Sequence, residues 1–399
     1  MRCPIGDFPL GKEERKALQR VIDSGRLSEG REVRALEDEF AGYCGTRHCV
    51  AVSSGTAALM VGLRALAMSK QFHLWPGARV LIPALTFIAT ANAVELAGMR
   101  IFFGDIDPET MGLAPEEVDK QIVDLVLPVH LMGYSADVRA IRARCRDHKP
   151  RELILVEDAA EAHGTKVLGK QVGTFGVWGS FSFYIAHTVQ AGELGCIITD
   201  SLEVAQIARQ LKAHGRECRC RVCTRSAPEG CPNIKAGRPD PRFRAQYVGW
   251  NFKPMEFQAA LGRVQLSHIE DNIHRRQYNR DYLTTQLLGL QEAGWIEPFV
   301  LQPNSVPMAF PLILKRKGYR DRVVAELERR GVEARPLFGS IPTQQPAYAG
   351  LAEEYKRRVP NADRFGANGF YVGCHQYLTQ EQLEYMASQI RDTVREVVT

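Results

Sequence analysis

The sequence predicts an α/β protein: a mostly parallel sheet in a large domain, followed by a smaller α/β domain. Three observations predict it. Strand-like apolar runs alternate with helix-like stretches through the first 250 residues. The runs are continuously apolar, the pattern of strands covered on both faces. A long helical stretch, residues 256 to 287, then leads into a region of shorter elements.

The runs lie at residues 49–52, 80–82, 101–103, 125–127 and 153–156, with a further short one at 196–198. Between the first five, residues 56–68, 88–97, 115–122 and 135–145 carry apolar side chains at helical spacing. The last third reads as a strand at 309–314, a helix at 320–330, a turn-rich loop at 336–345 and a helix at 379–397. We expect a large domain over 1–255, with a cysteine-rich loop at 215–235, and a small C-terminal domain over 256–399. No segment repeats.

At 399 residues, 45% apolar and 24% charged, the composition is that of a globular protein long enough for two cores. The net charge of +5 is mild, although Arg and Lys concentrate in residues 206–225. Without zinc-finger spacing, a helix-turn-helix signal or a basic tail, nucleic acid is not an expected partner. The opening residues, MRCPIGDFPLGKEERKALQ, hold no apolar core of signal-peptide type. No run approaches the roughly 18 apolar residues of a membrane span. We expect a cytoplasmic protein with no membrane partner. Ten cysteines in such a chain argue against a disulfide framework. Six are scattered and read as buried free thiols. The other four, Cys218, Cys220, Cys223 and Cys231, share one short loop.

Three segments end predicted strands, where open α/β sheets bind ligands. In Ser53-Ser54-Gly55-Thr56-Ala57-Ala58, amide groups at a helix start suit a phosphate, although small residues there also serve as a plain cap. In Val156-Glu157-Asp158 an acid ends an apolar strand; it either meets a cation such as a protonated pyridine nitrogen or caps the next helix. The third is SFSFYIAHTVQAGELG, with Ser182 five residues before His187. His130 and His163, near other strand ends, read as polar packing residues.

Together with LSEGREVRALEDEFAGY, PALTFIATANAV, LPVHLMGY, VEDAAEAHG and VGWNFKPMEFQAALGRVQL, these motifs cover nearly the whole chain. The sequence resembles the fold-type I, pyridoxal-phosphate-dependent nucleotide-sugar enzymes of the DegT/DnrJ/EryC1/StrS family. The resemblance implies a seven-stranded-type sheet in the large domain. It also implies that Gly55, Thr56 and Ser182 hold the cofactor phosphate, that Phe87 stacks on the pyridine ring and that Asp158 pairs with its nitrogen. Glu161 would lie beside the ring's phenolic oxygen. Asn251 would reach the phosphate from the second subunit of a homodimer with shared active sites.

His187 departs from the family pattern. In family aminotransferases its position is the lysine that holds pyridoxal phosphate covalently. Imidazole makes no such stable bond, but it takes up or delivers a proton near neutral pH. SFYIAH is similar to the 4-keto-6-deoxyhexose 3-dehydratases in which histidine replaces that lysine and pyridoxamine phosphate is the working cofactor. The resemblance implies a base at His187 and a nucleotide-sugar substrate that loses its C3 hydroxyl.

In GRECRCRVCTRSAPEGCPN, four thiols so close together suggest a metal site. Their C-x-C-x2-C-x7-C spacing is not the paired C-x2-C of a zinc ribbon. The loop resembles that of the iron-sulfur 3-dehydratases, which also carry a ligand cysteine shortly after the cofactor aspartate. Here Asp158-Ala159-Ala160-Glu161 has no thiol. A two-iron cluster, a four-iron cluster and a zinc ion all stay open. A cluster implies an electron-donating reductase or ferredoxin; Arg219, Arg221 and Arg225 beside the thiols either guide an acidic donor to the loop or only offset the cluster's charge. The alternatives are a redox-independent dehydratase or aminotransferase-like sugar enzyme with a structural metal, and a non-catalytic scaffold of the same fold.

Overall fold

The computed structural model describes residues 1–398 apart from 73, 76, 219, 222, 224–229, 232 and 235–238. Two N-terminal helices, α1 (Lys12–Ser24) and α2 (Arg31–Cys44), precede β1 (His48–Val52). Then come α3 (Gly55–Met68), β2 (Arg79–Pro83), α4 (Ile88–Leu96), β3 (Arg100–Gly104), β4 (Leu125–Val126) and α5 (Val138–Asp147). β5 (Ile154–Leu155), β6 (Glu157–Asp158), β7 (Trp178–Ser182), β8 (Gly195–Thr199) and α6 (Leu202–Leu211) follow.

Two ladders, β3-β2-β4-β5 and β1-β8-β7-β6, meet at residues 154–158. The Val156 N–H donates to Val126 O (3.1 Å) and the Asp158 N–H to Pro128 O (3.0 Å), so the two run on as one seven-stranded sheet. β8 is antiparallel to β1 and β7, with Ile197 opposite both Val50 and Ser180. The other pairings are parallel, as the alternating pattern predicts. Of the apolar run at 153–156 only Ile154 and Leu155 form a strand, β5, and β6 begins just beyond the run at Glu157; β5 pairs with β4 and β6 with β7.

α3 is apolar on every face and buries ten of its fourteen residues, which is why it lies in the interior against the sheet. At Gly62 a Cβ would stand 2.8 Å from two ring atoms of Trp178, so glycine lets α3 approach β7 closely. The expected helix at 115–122 shrinks to one turn, Glu117–Lys120, which buries a single apolar side chain, Val118. No helix among the described residues is long and apolar enough to cross a membrane.

The long helix expected at 256–287 breaks at His268 into α7 (Glu256–Ser267) and α8 (Ile269–Glu292). Glu256 accepts the N–H groups of Gly30 (2.7 Å), Glu32 (2.9 Å) and Val33 (3.0 Å), and so caps α2 from far along the chain. Ala259, Leu266, Ile269 and Ile273 pack with α2, β1 and β8. Further along α8, Leu283, Leu287 and Leu290 join a separate core. That core contains β9 (Ala309–Ile313), α9 (Arg320–Arg329), β10 (Ala334–Pro336), β11 (Gly369–Gly373) and α10 (Gln380–Val398), with both outer strands antiparallel to β11. The expected loop at 336–345 holds one helical turn, Ile341–Gln344.

The N-terminal residues lie across this second core. The Cys3 N–H donates to Gly331 O (2.9 Å), the Glu333 N–H donates to Cys3 O (2.9 Å), and the Ile5 N–H donates to Glu333 Oε2 (3.0 Å). Next to them, Gly6 lies against the backbone of Ile185 and Ala186.

Gly62→Ala tests the close approach of α3. Its Cβ has to displace the Trp178 ring, at a cost of about 1–3 kcal/mol. The better helix propensity of Ala offsets this by about 1 kcal/mol. Urea unfolding at constant m-value should show net destabilisation; a stabilised variant would mean that the helix does not press on the ring.

Candidate active site

The segments that follow β1, β2, β4, β6 and β7 open on one cavity of about 470 Å³. Gly55, Thr56, Phe87, Asp158, Glu161, Ser182 and His187 all line it, so seven of the eight cofactor or catalytic candidates come together. Asn251 does not line it; it is exposed and accepts a hydrogen bond from the Lys253 ammonium.

At the cavity floor α3 begins beside the end of β7. A Cβ on Gly55 would stand 2.6 Å from the Ser182 Cβ, so the helix start and the Ser182 side chain touch only because residue 55 is glycine. The Ser54 hydroxyl caps the helix by accepting the Ala57 N–H (3.1 Å). A helix start carries N–H groups without intrahelical partners, and with the Thr56 and Ser182 hydroxyls beside them this floor fits a phosphate.

Asp158 ends β6 with 4% of its surface exposed. It accepts hydrogen bonds from Thr90 Oγ1 (2.8 Å), the Ala160 N–H (3.1 Å) and Ser180 Oγ (3.4 Å). Burial pushes its carboxyl above the usual carboxylate range, against the pull of those donors. A protonated ring nitrogen would relieve that burial, and the donor set leaves the cavity side to such a cation. The floor and the acid together fit pyridoxal or pyridoxamine phosphate.

Burial pushes Glu161 up to about 8, against the pull of the Met132 N–H that it accepts and with a smaller push from Asp158. At neutral pH it is mostly protonated and can donate a hydrogen bond. Phe87, 53% exposed, presents its ring at the mouth of the cavity, 5.3 Å from Phe338.

His187 is 7% exposed, and its Nδ1 lies 2.7 Å from Ser182 O. A carbonyl only accepts, so Nδ1 carries the hydrogen and Nε2 is left as the proton acceptor. Burial holds the imidazole down to about 4; the Ser182 carbonyl pulls the other way, and Arg276 lowers it further. The ring is neutral at pH 7.

His130 behaves as expected: its Nε2 lies 3.1 Å from Glu157 Oε2. His163 does not. Both its nitrogens are buried without a hydrogen-bond partner among the described residues, and its ring packs on Phe40, Phe181 and Phe183 at 5.7, 5.1 and 5.1 Å. The six scattered cysteines are buried.

The loop cysteines do not form the expected ligand set. Cys220 has Cys218, Cys231 and Asn233 as neighbours, while Cys223 is exposed. No group of three or more His, Cys, Asp or Glu among the described residues could hold a metal ion. Burial pushes the Cys220 thiol up to about 11, with a smaller push from Cys218. Arg221 is paired with Asp38 on α2, and Arg219 and Arg225 lie outside the described residues.

Sequence reasoning missed several lining residues. Thr90, in the first turn of α4, lies with its hydroxyl 2.9 Å from that of Thr86 just before the helix, and both fall in the quoted PALTFIATANAV motif. Arg335 on β10, Phe338 just after it and Tyr371 on β11 also line the cavity, and nothing in their local sequence marks them.

The model of the DegT/DnrJ/EryC1/StrS aminotransferase family matches residues 9–391. The chain is 30% identical to dTDP-4-dehydro-2,6-dideoxy-D-glucose 3-dehydratase of Saccharopolyspora spinosa, over 96% of this chain and 85% of that protein. It is also 30% identical to dTDP-3-amino-3,4,6-trideoxy-alpha-D-glucose transaminase of Streptomyces venezuelae, over 99% and 96%. Among solved structures it is similar to E. coli GDP-4-keto-6-deoxy-D-mannose-3-dehydratase with bound hydrated PLP. There the TM-score is 0.83 and the identity 27%, over 98% of this chain and 99% of that one.

Burial has a second consequence. His187 and His375 are held down to about 4, and His163 well below its ordinary value, in each case chiefly by burial. The unfolded chain therefore binds protons below about pH 6.5 that the folded chain refuses until about pH 4. The histidine contribution to stability should be flat above pH 7 and fall between pH 6.5 and 4, by about 3 kcal/mol each for His187 and His375, against an opposite slope from Glu161, which keeps in the fold, up to about pH 8, a proton that the unfolded chain loses near pH 4.5. Urea midpoints across that range should show a shallower slope for His187→Asn; an unchanged slope would mean that His187 is already charged in the fold.

Proposed function

We propose that this chain, which belongs to the DegT/DnrJ/EryC1/StrS aminotransferase family, is a pyridoxamine-phosphate-dependent 3-dehydratase of a nucleotide-linked 4-keto-6-deoxyhexose. The observation that carries the reading is His187: a neutral imidazole with Nε2 free stands at the position that resembles the lysine of family aminotransferases. A transaminase needs that amine, and a dehydratase needs only a base. The similarity to two named 3-dehydratases supports the same choice.

When bound, pyridoxamine phosphate supplies an amine that condenses with a ketone and a ring that takes up electrons. The chain holds it in place. The start of α3, with Thr56 and Ser182, takes the phosphate, and Asp158, steadied by Thr90, takes the protonated ring nitrogen. Glu161 donates a hydrogen bond to an oxygen at the ring, and Phe87 covers the ring from the cavity mouth. His187 accepts a proton at Nε2 and keeps its orientation through Nδ1 and the Ser182 carbonyl. Asn251 is left to complete the phosphate site of a second subunit, which makes the active unit a homodimer.

A second reading adds an iron-sulfur centre in the cysteine loop and an electron-donating reductase or ferredoxin. One observation favours it: Cys218 and Cys231 are both neighbours of Cys220. Electron delivery forms no part of the chemistry derived from the fold.

The function is tested by incubating the protein with pyridoxamine phosphate and a nucleotide-linked 4-keto-6-deoxyhexose, with loss of the C3 hydroxyl read by NMR. His187→Asn should lower turnover by about 100-fold or more. His187→Lys should trap pyridoxal phosphate, so that borohydride and mass spectrometry place an adduct at residue 187 in the variant alone. An adduct on another lysine of the unmutated protein would sink the assignment.

The loop is tested by anaerobic purification. On the iron-sulfur reading, replacing any of Cys218, Cys220, Cys223 and Cys231 with Ser depletes iron, and Cys196→Ser and Cys374→Ser do not. Stoichiometric zinc without iron would end that reading and leave the dehydratase intact.

A further inference from the structure

Arg276, a third of the way along α8, has none of its surface exposed. Its Nε donates to Gln376 Oε1 (2.7 Å). Nη1 donates to the carbonyls of Pro307 (3.0 Å) and Met308 (2.9 Å), and Nη2 to those of Ala186 (3.2 Å) and His187 (3.0 Å). A guanidinium has five N–H donors, and here each meets a neutral oxygen. No carboxylate forms an ion pair with it among the described residues. Burial lowers it to about 10, so it stays charged at neutral pH. A buried, fully bonded cation without a counter-ion is costly, and an amide or a well-packed apolar side chain would bridge these elements with less penalty.

Two of the five acceptors belong to the segment that carries His187, and two to the stretch that leads into β9. We propose that Arg276 is a positioning residue of the reaction: its guanidinium ties the backbone carbonyls of Ala186 and His187 to those of Pro307 and Met308 and to Gln376, fixing where the imidazole stands, and its buried charge adds to the effect of burial on that ring. The proposal rests on His187 being the base. The groups that face His187 are His163 and Tyr184 by ring contact, at 6.4 and 6.1 Å, and Arg276 from α8. Across the cavity stand Asp158, Glu161, Glu193, Tyr371 and Arg335. Of these, Arg276 is the cation that holds the His187 segment itself, and it also lowers His163 and His375.

The test uses the full chain labelled with 15N and 13C at histidine, with the His187 resonances assigned by comparison with His187→Asn. In Arg276→Gln the charge is lost, and the His187 pKa should rise by about one unit while its Nδ1–H tautomer gives way to a mixture. In Arg276→Lys the charge remains but one ammonium cannot span all five acceptors. There the pKa should stay within a few tenths of a unit, and kcat should fall about tenfold with KM for the sugar nearly unchanged. If Arg276→Gln does not fold, Gln376→Glu neutralises the cation at its Nε and should move the His187 pKa in the same upward direction. An unchanged or lowered His187 pKa on loss or neutralisation of the charge, or Arg276→Lys with full kcat, overturns the proposal. Full turnover by His187→Asn would overturn the base reading instead, and the NMR titration would still decide whether the charge of Arg276 adds to the effect of burial on that ring.

Discussion

Residues 154–158 pair with β4 on one side and with β7 on the other, and in doing so hold two four-stranded ladders in one sheet. Neighbouring strand residues point to opposite faces, and this stretch uses both. Glu157 turns away from the cavity and accepts the N–H groups of Gly173 (2.8 Å), Phe175 (2.6 Å) and Gly176 (2.8 Å), which sets the turn that feeds β7. Asp158 turns toward the cavity. The same five residues therefore place the acid and the strand that ends in Ser182. A shift of one residue in this register would put Glu157 in the cavity and leave the turn at 173–176 without an acceptor.

Burial drives the cavity's ionisable groups in opposite directions. Asp158 and Glu161 are pushed up and His187 is pushed down, so all three tend toward neutrality in the absence of a ligand. A cationic ligand beside Asp158 reverses only the first of these shifts. That asymmetry lets one cavity offer a carboxylate, a hydrogen-bond donor and a neutral base at the same pH.

Much of this was legible in the sequence, because a sheet that binds ligands at its strand ends puts chemistry where strand-like runs stop. Gly55, Thr56 and Asp158 each follow such a run, whereas Ser182 was marked by its motif, the strand that it ends (β7) not being among the expected runs; the motifs around all four carried the family resemblance. Arg276 was not legible. It stands in IHRRQYNRDY, which reads as a solvated helix face, yet Arg276, Asn279 and Arg280 are buried there against the usual preference of their residue types. Carbonyls contributed by residues 186–187 and 307–308 hold the guanidinium, and no local pattern announces partners so far apart. The break at His268 was hidden for a similar reason: neither Gly nor Pro marks it, and the separate packing of α7 and α8 sets the bend. The cysteine loop shows the converse, since its spacing suggested a ligand set that the described residues do not assemble.

The strap formed by Cys3 to Gly6 gives synthesis a direction. Ile5 lines the cavity, yet it is tied down by Glu333, and its neighbour Pro4 lies against Gly373 and His375. Residues 3–6 thus leave the ribosome well before the partners against which they find their places. At ordinary elongation rates the strap waits on the order of half a minute for residues 331–375 to emerge. The seven-stranded sheet needs nothing beyond residue 199 to complete its strands, so an emerging chain holds a formed sheet beside an unfinished cavity.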